Sequence, residues 1–158
     1  MCPLGPRVSF YTGRTDSSQA GAVDRSIAST DTAEKALHLN NTKTLQPEDV
    51  VALMNVHAVV EGFYPDAATS GKPQVKTPGT WDVSFYKDTA QKKATVGAVH
   101  YTSDEAVAAY NVTKPMWQAM LDQTLWQKAY EKAYLRLPVL NMQPSLEHLP
   151  TDCSAAIL

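Results

Sequence analysis

The chain has 158 residues, of which 44% are hydrophobic and 19% are charged, and its formal net charge is −2. This composition is typical of one soluble globular domain, and it lacks the excess of basic residues by which proteins bind nucleic acid or an acidic membrane surface. Lys, Asp, Glu, Pro or Gly interrupts every hydrophobic run well before the ~20 apolar residues that a membrane-spanning helix requires.

The first 44 residues are rich in Ser, Thr, Asp, Gly and Ala and show no sustained apolar period. Such a segment buries too little apolar surface to offset the entropy lost when it is ordered. We therefore predict an extended or disordered arm over residues 1–44 and a folded domain over residues 45–158.

A mostly buried helix is predicted to begin at Pro47, because proline suits the first helical turn. Glu48 and Asp49 follow it, and acidic residues are favourable at a helix N-terminus. Apolar residues recur at helical spacing as far as Glu61, and Gly62 ends the pattern.

Two strands are predicted next. Apolar and polar residues alternate over residues 81–86 and again over residues 95–101, and this period of two is typical of strands with one face on a core. We expect the two strands to pair as an antiparallel hairpin.

Helical patterns occupy the remainder of the domain. A short helix is expected from Ser103 to about Tyr110, and a longer pattern runs from Met116 to Leu137 with a break near residues 122–124. Four aromatic residues in this longer pattern are candidates either for the core or for a recognition face that binds a partner. They are Trp117, Trp126, Tyr130 and Tyr134.

The cysteines and histidines offer few candidates for chemistry. Cys2 and Cys153 are too few for a disulfide framework, which favours a reducing, intracellular compartment. Cys153 is a candidate thiol nucleophile with His148 as its base, and the alternative is an ordinary cysteine with no catalytic role. The four histidines show no metal-ligand spacing, and His57 is interpreted as a core or surface residue, so neither a metal site nor a cofactor is predicted.

Two Asn-x-Thr sequons occur, at Asn40 and Asn111. Such a motif is an acceptor for N-linked glycan only in an exported chain, and the N-terminal residues lack the apolar core of a signal peptide. The two sequons therefore mean little on the sequence alone.

The segment from Trp126 to Leu137 resembles the calpain protease-core segment Trp-x-x-x-x-Glu-Lys-Ala-Tyr-x-Lys-Leu. Residues 81–88 and 94–101 are similar to the strands that precede this segment in calpains. Residues 145–151 are similar to the acidic segment that leads into Leu-Thr-Gly-Gly, although Asp152-Cys153 stands in place of the two glycines. The resemblance extends over residues 45–158.

The helix beginning near Asp49 resembles the calpain helix that starts Gly-Asp-Cys-Trp, with Val50 at the position of the nucleophilic cysteine. The family's catalytic His and Asn belong to a second subdomain that follows the matched region. The resemblance therefore implies a degenerate first subdomain, an α+β papain/calpain-like half-core in which helices pack on a small antiparallel hairpin.

The function implied by this resemblance is that of a non-catalytic, calpain-like module, a pseudoenzyme that acts as a protein-binding or structural subunit of a larger assembly. Its expected partners are other protein subunits, and calcium enters only through the family resemblance. The alternative is an active calpain-type cysteine endopeptidase, in which Cys153 or a partner chain supplies the missing groups.

Overall fold

A computed structural model describes residues 5–6, 8, 10–12, 18–19, 28, 30–62, 70–92, 98–137 and 147–149. Within these residues the chain is mostly helical. Its helices are α1 (Ala33–Asn41), α2 (Pro47–Leu53), α3 (Ser84–Ala90), α4 (Thr102–Ala109), α5 (Lys114–Ala119) and α6 (Gln123–Arg136), and a 3-10 turn (Met54–Ala58) continues α2. Two three-residue strands, β1 (Phe10–Thr12) and β2 (Glu147–Leu149), pair antiparallel.

Helix α2 lies at the centre of the described structure. It packs along α6 and also contacts α1 and α5, while α4 packs against α1, α3 and α5. The core between these helices is rich in aromatic side chains. Its most deeply buried members include Val51, Phe85, Tyr86, Val107, Trp117 and Trp126.

The N-terminal end of α2 is joined to α6 through one buried carboxylate. Pro47 occupies the first position of the helix, and Asp49 accepts a hydrogen bond of 2.8 Å from the backbone N–H of Gln46. Arg136, in the last turn of α6, donates to the same Asp49 carboxylate. The predicted helix start is confirmed, and the acidic side chain at this position also ties the two central helices together.

The C-terminal end of α2 is held by side chains from two other helices. The Tyr86 hydroxyl donates to the carbonyl oxygens of Val51 and Ala52, at 2.8 and 3.1 Å. The indole N–H of Trp126 donates to the Ala52 carbonyl at 3.2 Å. The last carbonyls of a helix have few partners within it. Where the α-helix gives way to the 3-10 turn, these donors add to the bond that the Met54 N–H makes to the Val51 carbonyl.

The predicted hairpin is wrong. Residues 84–90 form α3, in which the neighbouring residues Phe85 and Tyr86 are both fully buried. Neighbouring strand residues point to opposite faces of a sheet, whereas one side of a helix accommodates both rings together with Thr89 one turn later. The side chain of Asp82 promotes this helix start, since its Oδ1 accepts from the backbone N–H of Ser84 at 2.8 Å.

The second predicted strand is wrong where the structure describes it, because residues 98–100 are irregular; residues 93–97 lie outside the described chain. With helices packed on helices and no hairpin between 81 and 101 in the described residues, the expected α+β papain/calpain-like half-core is wrong as well.

Most of the helical predictions are confirmed. The short helix near 103–110 is confirmed as α4, and the long pattern is confirmed as α5 and α6 with a break between them. The first helix ends at Leu53 and continues as a 3-10 turn instead of reaching Glu61 in one piece. Helix α1 lies inside the segment expected to form an arm. The division of the chain at residue 44 stays a prediction.

Across the part of the chain that is described, no helix is both long and apolar enough to span a membrane.

We expect Tyr86→Phe to lower the free energy of unfolding by about 0.5–1.5 kcal/mol at neutral pH, because a buried hydrogen bond is lost. The Val51 and Ala52 carbonyls keep their bonds to the Met54 N–H and to the Trp126 indole. Burial raises the pKa of the Tyr86 phenol well above its ordinary value of 10.0. The unfolded chain then loses this proton at a lower pH than the folded chain, so the contribution is present below pH ~10 and declines above it. Urea denaturation at neutral and alkaline pH measures both effects.

The matched control is Tyr134→Phe, which removes the same hydroxyl from a side chain that is 38% exposed. It should change the unfolding free energy by no more than about 0.5 kcal/mol. Equal losses in the two variants, or an alkaline decline that persists unchanged in Tyr86→Phe, would contradict the role given to the buried hydroxyl.

Candidate functional site

A histidine and a buried carboxylate meet between the 3-10 turn and α4. The Nδ1 atom of His57 lies 2.9 Å from Oδ2 of Asp104, and the two residues are separated by 47 positions in the sequence. The side chain of Asp104 is 3% exposed, whereas that of His57 is 30% exposed. The pair is therefore buried on the carboxylate side and open on the imidazole side.

The backbone that carries His57 is fixed by side-chain hydrogen bonds. Just before it, the last carbonyls of α2 are held by Tyr86 and Trp126. Within the 3-10 turn, the fully buried Asn55 donates from its side-chain amide to the backbone carbonyl of Asp82, at 2.9 Å. These bonds leave little freedom for the turn, so they also restrict where the imidazole ring can lie.

The ring itself is held from several sides. The rings of Phe85 and Tyr101 pack against His57 in T-shaped arrangements, with centroids 5.6 and 6.3 Å away. Asp104 lies in the first turn of α4, and its second oxygen, Oδ1, accepts from the hydroxyl of Ser103 at 3.3 Å. Both oxygens of the carboxylate are thus engaged, and the acceptor facing His57 cannot readily turn away.

This hydrogen bond determines which ring nitrogen of neutral His57 carries the proton. A carboxylate accepts hydrogen bonds, so we assign the proton to Nδ1, and the lone pair then lies on Nε2. An imidazole whose N–H is held by a carboxylate is the usual form of a metal-ligating histidine, because the partner orients the ring and raises its basicity.

The surroundings of His57 indicate what kind of metal site this is. In the described part of the chain, no cluster of three or more His, Cys, Asp or Glu side chains could hold a metal ion. Among these residues, His57 is thus paired with Asp104 and does not belong to a larger cluster of this kind. Val56 and Val60, on either side of His57 in the sequence, are exposed apolar residues and would suit an apolar cofactor.

The residues singled out from the sequence lie elsewhere. Val50 is a buried residue of α2. Cys153 lies outside the described residues, and His148 falls in β2, opposite Tyr11. Val50 is not among the residues that hold the His57–Asp104 pair, which are Phe85, Tyr101 and Ser103.

The aromatic residues of the long helical pattern divide into two groups. Trp117, Trp126 and Tyr130 are buried and belong to the core, as one of the two interpretations expected. Tyr134 is exposed and stacks on Tyr130, with ring centroids 5.8 Å apart.

Comparison with known proteins identifies the family. The sequence model of the family described as Peroxidase matches residues 1–123, a region that contains both His57 and Asp104. The chain belongs to the peroxidase family.

Several fungal peroxidases are similar to the chain. A peroxidase of Arthromyces ramosus is 26% identical over 99% of this chain and 46% of its own length. A low-redox potential peroxidase of Taiwanofungus camphoratus is 27% identical over 86% of this chain and 46% of its own length. Ligninase LG3 of Phanerodontia chrysosporium is 24% identical, with coverages of 99% and 46%. The chain thus spans about half the length of these peroxidases.

Membership of the peroxidase family corrects several expectations. The calpain resemblance is wrong, and so are both functions built on it, the non-catalytic calpain-like module and the calpain-type endopeptidase. No ground remains for interpreting Val50 as a degenerate nucleophile position. The expected intracellular, reducing compartment is wrong too, because the relatives are secreted, extracellular fungal peroxidases.

The expectation of no cofactor is also wrong, since peroxidases of this family use heme and calcium. The His57–Asp104 pair fits heme, because it offers one carboxylate-supported imidazole beside exposed apolar residues. Calcium prefers several oxygen ligands. The described residues contain no cluster of three acidic side chains for it, and none is assigned to calcium.

Sequence reasoning missed the residue on which the site depends. His57 was set aside because a lone histidine on an apolar helical face is usually structural. The available signal was weak. His57 is a single histidine in the 3-10 turn that follows α2, and its partner lies 47 residues away, beyond the range of any spacing rule.

We expect Asp104→Asn to change the proton position on His57 without abolishing the fold, because an amide oxygen or nitrogen can face Nδ1 where the carboxylate does. Long-range proton–nitrogen NMR correlation spectra of the ring distinguish the two tautomers. The wild-type chain should show Nδ1 protonated, and the variant should show a mixture or the Nε2 form. Identical ring spectra would contradict the assignment. His38→Gln, a change in α1, identifies the signals of the other helical histidine.

Proposed function

We propose that this chain carries the heme-iron ligand of a heme peroxidase, with His57 binding the iron through Nε2. Heme iron in peroxidases is held by a histidine on one side of the macrocycle. The observation that carries the proposal is the 2.9 Å hydrogen bond between His57 and the buried Asp104. Family membership supports it.

Several residues of the chain would have distinct roles in such an enzyme. Bound heme supplies the chemistry by which hydrogen peroxide is reduced to water at the expense of an electron donor. Asp104 holds the proton on Nδ1 and keeps Nε2 basic. Val56 and Val60, which are exposed on either side of His57 in the sequence, would offer apolar contacts to the heme. Asn55 keeps the turn in place through its bond to the Asp82 carbonyl.

The same proposal includes peroxidase turnover by the whole protein. Each relative is about twice as long as the region that matches this chain, so both the turnover and the oxidation of an electron donor are proposals.

Hemin titration of the full chain tests the proposal. The wild-type chain should bind one hemin and give the absorption spectrum of an imidazole-ligated heme. His57→Ala should lose that spectrum, and Asp104→Asn should keep it with affinity reduced by roughly 10- to 100-fold. Helical content, followed by circular dichroism, shows whether each variant is folded.

His38→Ala is the matched control, because it removes an imidazole from α1 and leaves the site intact. It should titrate like the wild-type chain. A folded His57→Ala variant that retains the wild-type spectrum and affinity would overturn the proposal.

Association with other protein subunits is a second proposal. Two leucines near the start of α6 favour it, since Leu121 and Leu125 are 41% and 52% exposed. Sedimentation velocity tests it. Replacing both leucines with Ser should abolish any species larger than the monomer. A wild-type chain that remains monomeric at every concentration would count against self-association.

A further inference from the structure

We propose that Asn111 is the N-glycosylation site of this chain, and that Asn40, in the other sequon, carries no glycan in the folded, secreted protein. The full sequence contains only these two Asn-x-Ser/Thr motifs, Asn40-Asn41-Thr42 and Asn111-Val112-Thr113. Because the relatives are secreted, a chain that follows the same route meets the machinery that transfers N-linked oligosaccharide.

Asn111 is presented to solvent by the turn between α4 and α5. It is exposed, as is its neighbour Val112, and its side chain makes no hydrogen bond to a described residue. The turn is fixed by backbone bonds from Thr113 and Lys114 to the Tyr110 carbonyl, at 3.1 and 2.8 Å. A sugar on the Asn111 amide would extend into solvent without displacing any of these bonds.

The third residue of this sequon helps to fix the same turn. Thr113 is buried, and its hydroxyl donates to the carbonyl of Val107 in α4. The threonine that the transferase must recognise is hidden once the chain has folded. Transfer to Asn111 must therefore precede folding, and the glycan then remains outside the folded structure.

Asn40 is presented differently. It lies in the last turn of α1, is half-buried, and donates from its side-chain nitrogen to the Ala36 carbonyl at 2.8 Å. Its backbone carbonyl accepts from the N–H groups of Lys43 and Leu45, at 2.9 and 3.1 Å. A sugar would attach to the nitrogen that bonds to the helix, at the point where the chain turns toward the buried Leu45, so a glycan here opposes folding.

The glycan at Asn111 would not obstruct the candidate site. Asp104 lies in the first turn of α4 and Asn111 lies just beyond its last turn, so the two are roughly 10 Å apart along the helix axis. The sugar would cover the exposed Val112 and leave His57 open. The proposal is independent of heme binding, and either one can fail without the other.

The test is to express the full chain behind a secretion signal in a fungal host, and to measure intact mass and tryptic peptide mass before and after enzymatic removal of N-linked glycans. Enzymatic release converts the modified Asn to Asp and so marks the site. We expect one glycan per secreted chain, on the peptide that contains Asn111. Asn111→Gln should carry none, and Asn40→Gln should match the wild-type chain.

Both the secreted and the cell-retained fractions are analysed, so that a poorly secreted variant still reports its glycan. Glycan on Asn40 in the retained fraction alone agrees with the proposal, since such chains fold poorly. Secreted protein with Asn40 modified, or with Asn111 unmodified, would overturn it. The hemin spectrum of secreted Asn111→Gln should equal that of the wild-type chain, which separates loss of the glycan from loss of the fold.

Discussion

The carbonyl end of α2 lies inside an apolar core and must find hydrogen-bond donors there, and the described structure is organised around that requirement. A buried carbonyl without a partner costs about 1–3 kcal/mol. The backbone N–H of Met54 supplies one donor, to the Val51 carbonyl, and Tyr86 and Trp126 supply others from two different helices. The indole of Trp117 donates in turn to the Tyr86 carbonyl at 2.9 Å. Buried Trp and Tyr require such partners, so the same bonds that end α2 determine how α3, α5 and α6 pack around it.

The candidate site follows from that arrangement. Where α2 ends, the chain tightens into the 3-10 turn that carries His57, and α3 packs against both this turn and α4. Helix α4 delivers Asp104 in its first turn, so the histidine and its carboxylate belong to two segments that only tertiary packing brings together. An imidazole held in this way, in a member of the peroxidase family, is suited to bind heme iron.

The sequence predicted those parts of the fold that depend on local periodicity. The start of α2, the helix α4 and the interrupted pattern of α5 and α6 follow from apolar spacing, proline and acidic N-termini. The strand predicted over residues 81–86 is wrong because six alternating residues fit a strand, while the structure buries both Phe85 and Tyr86 on one side of a helix. The calpain resemblance rested on the segment after Trp126, whose Trp, Tyr and Ala positions are those of any amphipathic helix packed on a core.

The site itself was beyond prediction from one sequence. The pairing of His57 with Asp104 spans 47 residues, which include helix α3, and no spacing rule reaches that far. The hydrogen bond between Arg136 and Asp49 links even more distant positions, 87 residues apart. Both pairs exist because buried charges are retained where a partner is brought to them, which depends on the completed packing.

The most direct test of the account is resonance Raman spectroscopy of the reduced, hemin-loaded chain, which reports the stretching vibration of the bond between iron and the imidazole nitrogen. The account predicts that the wild-type chain shows this band, that His57→Gly loses it and regains it when free imidazole is added, and that Asp104→Asn lowers its frequency because the ring becomes less basic. A band that is unchanged in both variants would contradict the claim that His57, supported by Asp104, is the heme ligand.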